Sequence, residues 1–395
     1  MTGPFEIPDS WDWASFGSVA TVVSDLVDPA GYQNSPHLAP NNIEQNTGRL
    51  LPYRTIAEDG VASPKNRFIP GQILYSKIRP YLAKAVVAEF GGLCSADMYP
   101  IESSIDVRYL WRWIIHPEFT RAASRHEGRN VLPKINKAAL ATLPVPVPPV
   151  EEQKRIAAVL DQVDDLRAKR REAIGLLDDL AQSIFLEMFD PDDTGTQVVS
   201  IDELCSVVVD CVNRTAPVVD SVTPFRMIRT TNVKNGRVDL RVTRYVEEEV
   251  FRRWNRRATP RRGDVLLTRE APVGEVGILD TDDQVFLGQR LMLYRVDPDR
   301  ATAEYLSAAL RSPYLKGQYE QSGSGSTVKH LSLPTCRSLK VPAPNISAQR
   351  QFAARIARLD ELKAGHNRHL AALDELFESV QQRAFAGQLW DHEAA

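Results

Sequence analysis

No stretch of the 395-residue chain approaches the roughly 20 apolar residues that span a bilayer, so no membrane partner is expected. Its four cysteines (Cys94, Cys205, Cys211, Cys336) are scattered, without a Cys-x-x-Cys pair. That argues against a disulfide framework and fits a cytoplasmic setting. Residues 1–6 have neither a basic start nor an apolar run, so a secretory leader is not expected. A surplus of positive charge is missing too: 48 Lys and Arg against 51 Asp and Glu leave a net charge of −3. This excludes an indiscriminate nucleic-acid coat, though not a local basic surface, because binding answers to clustered charge. Catalytic signatures are lacking as well. There is no Asn-Pro-Pro-Tyr or Asp-Pro-Pro-Tyr run, no P-loop, no dinucleotide Gly fingerprint, no His-Glu-x-x-His and no Gly-x-Ser-x-Gly. A long chain without such an engine reads as a reader or scaffold, not an enzyme.

What the chain does have is a repeat. Residues 143–189 and 339–385 match without gaps at 15 of 47 positions, at a constant separation of 196 residues. The identities include Gln153/Gln349, Ala157/Ala353, Asp164/Asp360, Leu166/Leu362, Asp178/Asp374, Leu180/Leu376 and Phe189/Phe385. A period near half the chain length means two copies of one module, each closed by a helix. The expected division is a mixed module over 1–147, a helix over 148–190, a second mixed module over 191–343 and a second helix over 344–395. Residues 190–196 form a turn-rich linker. The fold class is α+β: two tandem mixed α/β modules, separated and joined by two long antiparallel coiled-coil helices with pseudo-two-fold symmetry.

Pro144, Pro146, Pro148 and Pro149 force an extended entry to the first helix. Apolar residues then recur at Ile156, Val159, Val163, Leu166, Ala173, Leu177, Leu180 and Ile184. The second copy follows with Phe352, Leu359, Leu362, Leu373, Leu376 and Val380. Steps of three and four predict a coiled-coil seam. Some 40 helical residues would make a rod of about 60 Å, a spacer between the modules. Arg170 interrupts the first seam, and His366 and His369 interrupt the second. Together they are candidates for a polar layer that fixes register; side chains that simply reach out to water are the alternative. A metal pair at His366 and His369 lacks further ligands.

Each module carries a Gly-led strand, residues 71–77 and 263–269, with Pro80 matching Pro272. Both strands end in a hydroxyl and a cation, Ser76-Lys77 and Thr268-Arg269, types that contact phosphate. A buried strand with a cation reaching to solvent is the plainer alternative. Arg79 and Lys84 follow the first strand. Matched stretches before each helix add Arg129, Lys134 and Lys137 in the first copy, and Lys329 and His330 in the second. Residues 251–262 hold six arginines in twelve positions with one Trp. Arg252, Arg253, Arg256 and Arg257 are therefore further candidates for phosphate contact, against a solvated helix. The Trp-x-Trp pairs Trp11/Trp13 and Trp111/Trp113 are expected in the core. The Gly- and Ser-rich loop over 322–327 lacks the Gly-Lys-Ser/Thr ending of a phosphate cradle and reads as a mobile loop.

Residues 145–156 (Val-Pro-Val-Pro-Pro-Val-Glu-Glu-Gln-Lys-Arg-Ile), the opening 8–17 with its two Trp, and the 263–269 strand resemble the DNA-specificity subunits of type I restriction–modification systems. The second copy departs from the motif, with Asn345 for the second Pro and Ala348 for Glu. The resemblance implies two target-recognition domains, each reading one half of a split, asymmetric sequence in double-stranded DNA. It implies a helix pair that sets the unread gap and docks two methyltransferase subunits, and it allows two ATP-driven restriction subunits. It also implies a non-catalytic chain without its own cofactor; S-adenosylmethionine, ATP and Mg belong to the partners. The competing readings are a stand-alone DNA-binding regulator and a coiled-coil adaptor.

Overall fold

The computed structural model describes residues 3–125, 133–189, 196–322 and 330–390. The two long helices run Val150–Met188 and Ile346–Phe385. Two compact units divide the chain, and they do not follow its linear order. One combines Met1–Arg170 with His369–Ala395; the other is Arg171–Arg368. Each unit therefore owns one mixed module and half of each long helix.

In the first unit an antiparallel sheet is ordered Ala20–Val22, Met98–Ser103, Ile73–Ser76, Ala85–Val87. In the second, Cys205–Asp210, Leu291–Val296, Val265–Arg269 and Val273–Ile278 repeat that order, and Gly236–Val238 and Val233–Lys234 extend it. A smaller sheet recurs around a parallel pair, Pro36–Leu38 with Gly92–Cys94 and Phe225–Ile228 with Gln284–Leu287. The helices Val107–Ile114, Pro117–Ser124 and Lys137–Ala141 have counterparts in Ala303–Arg311, Pro313–Ser322 and Leu333–Ser338. Gly71 and Gly263 both adopt φ +87° before the central strand, a left-handed turn that a side chain would strain. The four cysteines are free thiols. Among the described residues no helix is long and apolar enough to cross a membrane.

The proline-rich runs become strands. Pro144–Val147 pairs with Asp12–Ser15, and Lys340–Pro342 with Val198–Ser200. Proline cannot donate to a ladder, but its carbonyl still accepts, and side chains use it. Tyr109 Oη donates to Pro146 O at 2.7 Å and Trp113 Nε1 to Pro144 O at 2.9 Å. In the second unit Tyr305 Oη donates to Pro342 O. The repeated glutamine completes the clasp. Gln153 is 1% exposed and Gln349 0%, so neither amide has water as a fallback. Gln153 Oε1 accepts from Asp106 N at 2.9 Å, and its Nε2 donates to Pro148 O at 2.8 Å. Gln349 Oε1 accepts from Thr302 N at 3.0 Å, and its Nε2 donates to Pro344 O at 2.8 Å. Asp106 and Thr302 are themselves N-caps, of Val107–Ile114 and Ala303–Arg311. Each long helix thus begins by holding the cap of an earlier helix of its own module.

Each unit is closed by the end of the other long helix. In the first, Phe385 packs on Tyr109, Trp113 and His116 at centroid distances of 5.3, 5.1 and 5.1 Å. In the second, Phe189 packs on Tyr305 and Phe352 at 5.0 and 5.4 Å. The half-helices run antiparallel in both. Arg155 lies over Trp390 and Arg167 bonds Asp374 in the first unit; in the second, Lys363 bonds Asp178 while Phe185 meets Phe352.

The buried stripe differs from the expected seam. Leu166, Leu180, Leu362 and Leu376 are 49, 45, 57 and 47% exposed. The inner stripe of the first helix runs through Ile156, Ala157, Leu160 and Val163 to Arg167, whose side chain is 14% exposed. A reading led by hydrophobicity turns to Leu166 where the chain instead places a cation inside. Trp111 and Trp113 are buried as expected, both on the helix Val107–Ile114.

Replacing Gln153 by Leu leaves the Asp106 N–H and the Pro148 carbonyl unpaired, and replacing Gln349 leaves the Thr302 N–H and the Pro344 and Arg300 carbonyls so, at a cost of about 1–3 kcal/mol per group shut away from water. Urea unfolding of each variant should show a loss of about 2–5 kcal/mol, confined to the unit that holds the glutamine. An unchanged transition would contradict the clasp. His116 offers a pH test. Burial, with Arg121 adding to it, lowers its pKa from 6.5 to about 4. The unfolded chain takes up this proton first on acidification, so the neutral ring stabilises the fold above about pH 6.5, and that contribution is lost toward pH 4. Between pH 7 and 5 the first unit should lose about 2 kcal/mol more in the wild type than in His116→Asn. Equal pH profiles would show that the ring does not titrate this way.

Candidate functional site

The sequence candidates converge at the end of the central strand. In the first unit the strand Ile73–Ser76 runs into Lys77, and the segment before Lys137–Ala141 zips onto it. Ile135 N donates to Lys77 O at 2.9 Å, Arg79 N to Pro133 O at 2.8 Å, and Ile78 bridges Lys134. Lys77, Arg79, Lys134 and Lys137 are so gathered along one edge. Tyr99 organises two of them, with Lys77 Nζ 5.4 Å and Lys137 Nζ 5.9 Å from its ring centroid. Each such contact is worth about 0.5–1 kcal/mol at an exposed site. Tyr99 was not legible as a site residue, because its partners come from separate segments. Arg79, Lys134 and Lys137 are exposed and Lys77 half-buried. Among the described residues, none of the four meets a carboxylate in an ion pair.

The second unit repeats the backbone and changes the side chains. Leu331 N donates to Arg269 O at 3.0 Å, and Glu270 bridges His330. Arg79 and Ala271 share a left-handed backbone, φ 47° and 48°. Arg269 turns inward and gives Nε to Leu331 O at 3.0 Å. Glu270 takes the place of Ile78, Ala271 of Arg79, His330 of Lys134 and Leu333 of Lys137. Arg290 pairs with Glu270 at 2.8 Å.

Several candidates sit elsewhere. Ser76 and Thr268 are 2 and 0% exposed, because their strands are central and both faces are covered. Ser76 Oγ donates to Ile78 O, and Thr268 Oγ1 accepts from Glu275 N, each at 2.9 Å. Neither hydroxyl is available to phosphate, which corrects the sequence expectation. Lys84 gives Nζ to Pro40 O at 2.7 Å. The arginine cluster falls on Glu248–Trp254 and the turn after it, and acids offset much of it. Arg252 pairs with Glu248, Arg257 with Asp210, and Arg262 with Asp280 and Asp282. Arg253 lies over Trp254 at 4.9 Å, and Arg256 is exposed. Arg129, Lys329 and most of the 322–327 loop lie outside the described residues.

Of the register candidates, Arg170 and His366 are half-buried, but His369 is exposed and forms no part of a buried layer. Ion pairs link the long helices within each unit, Arg167 Nε to Asp374 at 2.7 Å in the first and Lys363 Nζ to Asp178 at 2.5 Å in the second. They occupy equivalent repeat positions. The Asp178/Asp374 identity pointed to them. In the first unit alone, buried Arg112 adds bonds to Asp161 at 2.7 Å and Asp164 at 3.1 Å.

The profile of the family described as "Type I restriction modification DNA specificity domain" matches residues 21–175 and 196–374. The chain is 48% identical over 187 residues to the type I restriction enzyme EcoDI specificity subunit of Escherichia coli, a match covering 46% of this chain and 42% of that protein. It is 24% identical over 317 residues to the EcoBI specificity subunit of Escherichia coli, covering 71% of this chain and 66% of that one. The chain thus spans 42 and 66% of the lengths of these two relatives. In fold it resembles the type I restriction–modification S subunit from M. genitalium, with TM-score 0.56, 12% identity and 98 and 99% of the two chains covered. It also resembles a chain from a structural study of assembly and conformational transition in the type I R-M system, with TM-score 0.55, 19% identity and 98 and 100% covered.

Buried hydroxyls and exposed cations predict opposite phenotypes. Ser76→Ala and Thr268→Val should change duplex-DNA affinity less than about twofold, while Thr268→Val costs about 1 kcal/mol of stability by orphaning Glu275 N. Titration of a fluorescent duplex, paired with thermal melts, checks both. A tenfold affinity loss at unchanged stability would return these hydroxyls to the DNA interface.

Proposed function

The chain belongs to the type I restriction modification DNA specificity family, and from that premise we propose that it is the DNA-reading subunit of a type I complex. Each unit reads one half of a split, asymmetric target in double-stranded DNA. The observation that carries this is the pair of equivalent edges: the same backbone hydrogen bonds, Ile135 N to Lys77 O and Leu331 N to Arg269 O, present different side chains. One scaffold bearing two sets of side chains suits two different half-sites. Base edges in the major groove supply discrimination, about 1–3 kcal/mol per bidentate contact. Phosphate contacts fix orientation.

The long helices set the unread gap, since two readers on a stiff frame must meet the same side of the duplex. They also dock two methyltransferase subunits. Exposed leucines at equivalent repeat positions support this: Leu166 and Leu376 in the first unit, Leu362 and Leu180 in the second. Apolar side chains kept at a surface in both copies are compatible with a partner face. The chain performs no catalytic step. S-adenosylmethionine, ATP and Mg act on the methyltransferase and restriction subunits, and the complex works in the cytoplasm.

Exchange of residues 1–147 for the module of a relative, with both long helices kept, tests the proposal. Methylome sequencing of cells that express the complex should show one half-site changed and the other half and the gap retained. A change in both halves, or an unsplit target, would contradict it. Tight specific binding by the chain without methyltransferase subunits would favour a stand-alone regulator.

A further inference from the structure

We infer that the two units hold DNA unequally, the first by an uncompensated cation edge that grips phosphates, the second with little net charge among the described residues of the equivalent edge. This rests on the DNA-reading function proposed above and adds a division of labour to it. The first edge gathers Lys77, Arg79, Lys134 and Lys137, three of them exposed. Among the described residues none has a carboxylate partner, and Asp97 meets Lys77 only through its backbone carbonyl. Tyr99 holds the Lys77 and Lys137 ammonium groups over one ring, so two like charges are kept close before any ligand arrives.

The second unit has the same turn and the same backbone zipper. Yet Arg269 spends its Nε on Leu331 O, and Glu270 with Arg290 adds a neutral pair. Ala271 and Leu333 stand where the first edge has Arg79 and Lys137. The arginine-rich segment makes up only part of the difference: Glu248 and Asp210 offset Arg252 and Arg257, and Asp280 and Asp282 offset Arg262, which leaves Arg253, Arg256 and Arg261 without an ion pair among the described residues. Counterion release follows the phosphates neutralised by unpaired cations. The first edge therefore carries more of the salt-dependent affinity than its counterpart in the second unit, which contributes chiefly through base contacts.

Two charge-matched variants decide it. One carries Lys77→Gln, Arg79→Gln, Lys134→Gln and Lys137→Gln; the other carries Arg252→Gln, Arg253→Gln, Arg256→Gln and Arg257→Gln. Affinity for a random-sequence duplex is measured from about 50 to 200 mM salt, with the full chain in its complex with the methyltransferase subunits. The first variant should lower the slope of log K against log salt by about 3–4, and affinity roughly 10²–10³-fold at physiological salt. The second should lower the slope by less than about 2, since half its charges are already paired. Equal losses, or a larger loss in the second, overturn the division while the DNA-reading function stands. A wild-type complex with no salt dependence overturns the DNA-reading function itself, and this inference with it. Circular dichroism monitors folding. Should the first quadruple variant unfold, Lys134→Gln with Lys137→Gln, both at exposed sites, should still lower the slope by about 1.8.

Discussion

A side-chain amide shut away from water must find partners inside the protein or destabilise it, and at the start of each long helix one glutamine finds them, Gln153 two and Gln349 three. Gln153 and Gln349 accept from the N-cap residue of a module helix and donate to a proline carbonyl that the chain has just left. The helix is thereby fastened to its module at a set angle, which a purely apolar contact would not specify. Its far end then carries Phe189 or Phe385 into the core of the other unit. Full burial of such a ring contributes about 1.5–3 kcal/mol. Each unit is in consequence assembled from two separate pieces of chain.

Repetition of the frame and divergence of the edges are two sides of one arrangement. The clasp, the tyrosine–proline bond and the helix-to-helix ion pair recur in both units because they are needed to build either one. Arg167 with Asp374 and Lys363 with Asp178 keep the sign of charge while changing the cation. The edge beside the central strand does not enter those constraints. Only its backbone hydrogen bonds recur, so its side chains can differ freely, as the proposed reading of unlike half-sites requires.

Much of the frame was legible because identity at a fixed separation is independent of structure: Gln153/Gln349, Asp178/Asp374 and Phe189/Phe385 announced two copies of one unit. What each identity does was not legible. The clasp closes onto Asp106 and Thr302, distant in sequence and chemically different, so no local pattern joins them to the glutamines. The seam was misread where it turns polar, since spacing of three and four fits Leu166 and Leu180 as well as the inner stripe through Arg167. Charge density did not reveal that Arg252 and Arg257 pair with Glu248 and Asp210. The pairing of Lys77 with Lys134 depended on strand topology that brings residues 77–79 against 133–135.

The claim that each unit is built from two chain pieces is tested most directly by ending the chain after Arg368 and measuring amide hydrogen exchange. The second unit, which keeps both of its half-helices, should retain protection in Val265–Arg269 and Ala303–Arg311. The first unit, deprived of Phe377, Ala384 and Phe385, should lose protection in Ile73–Ser76 and Val107–Ile114. Full protection of those two segments in the shortened chain would contradict the account.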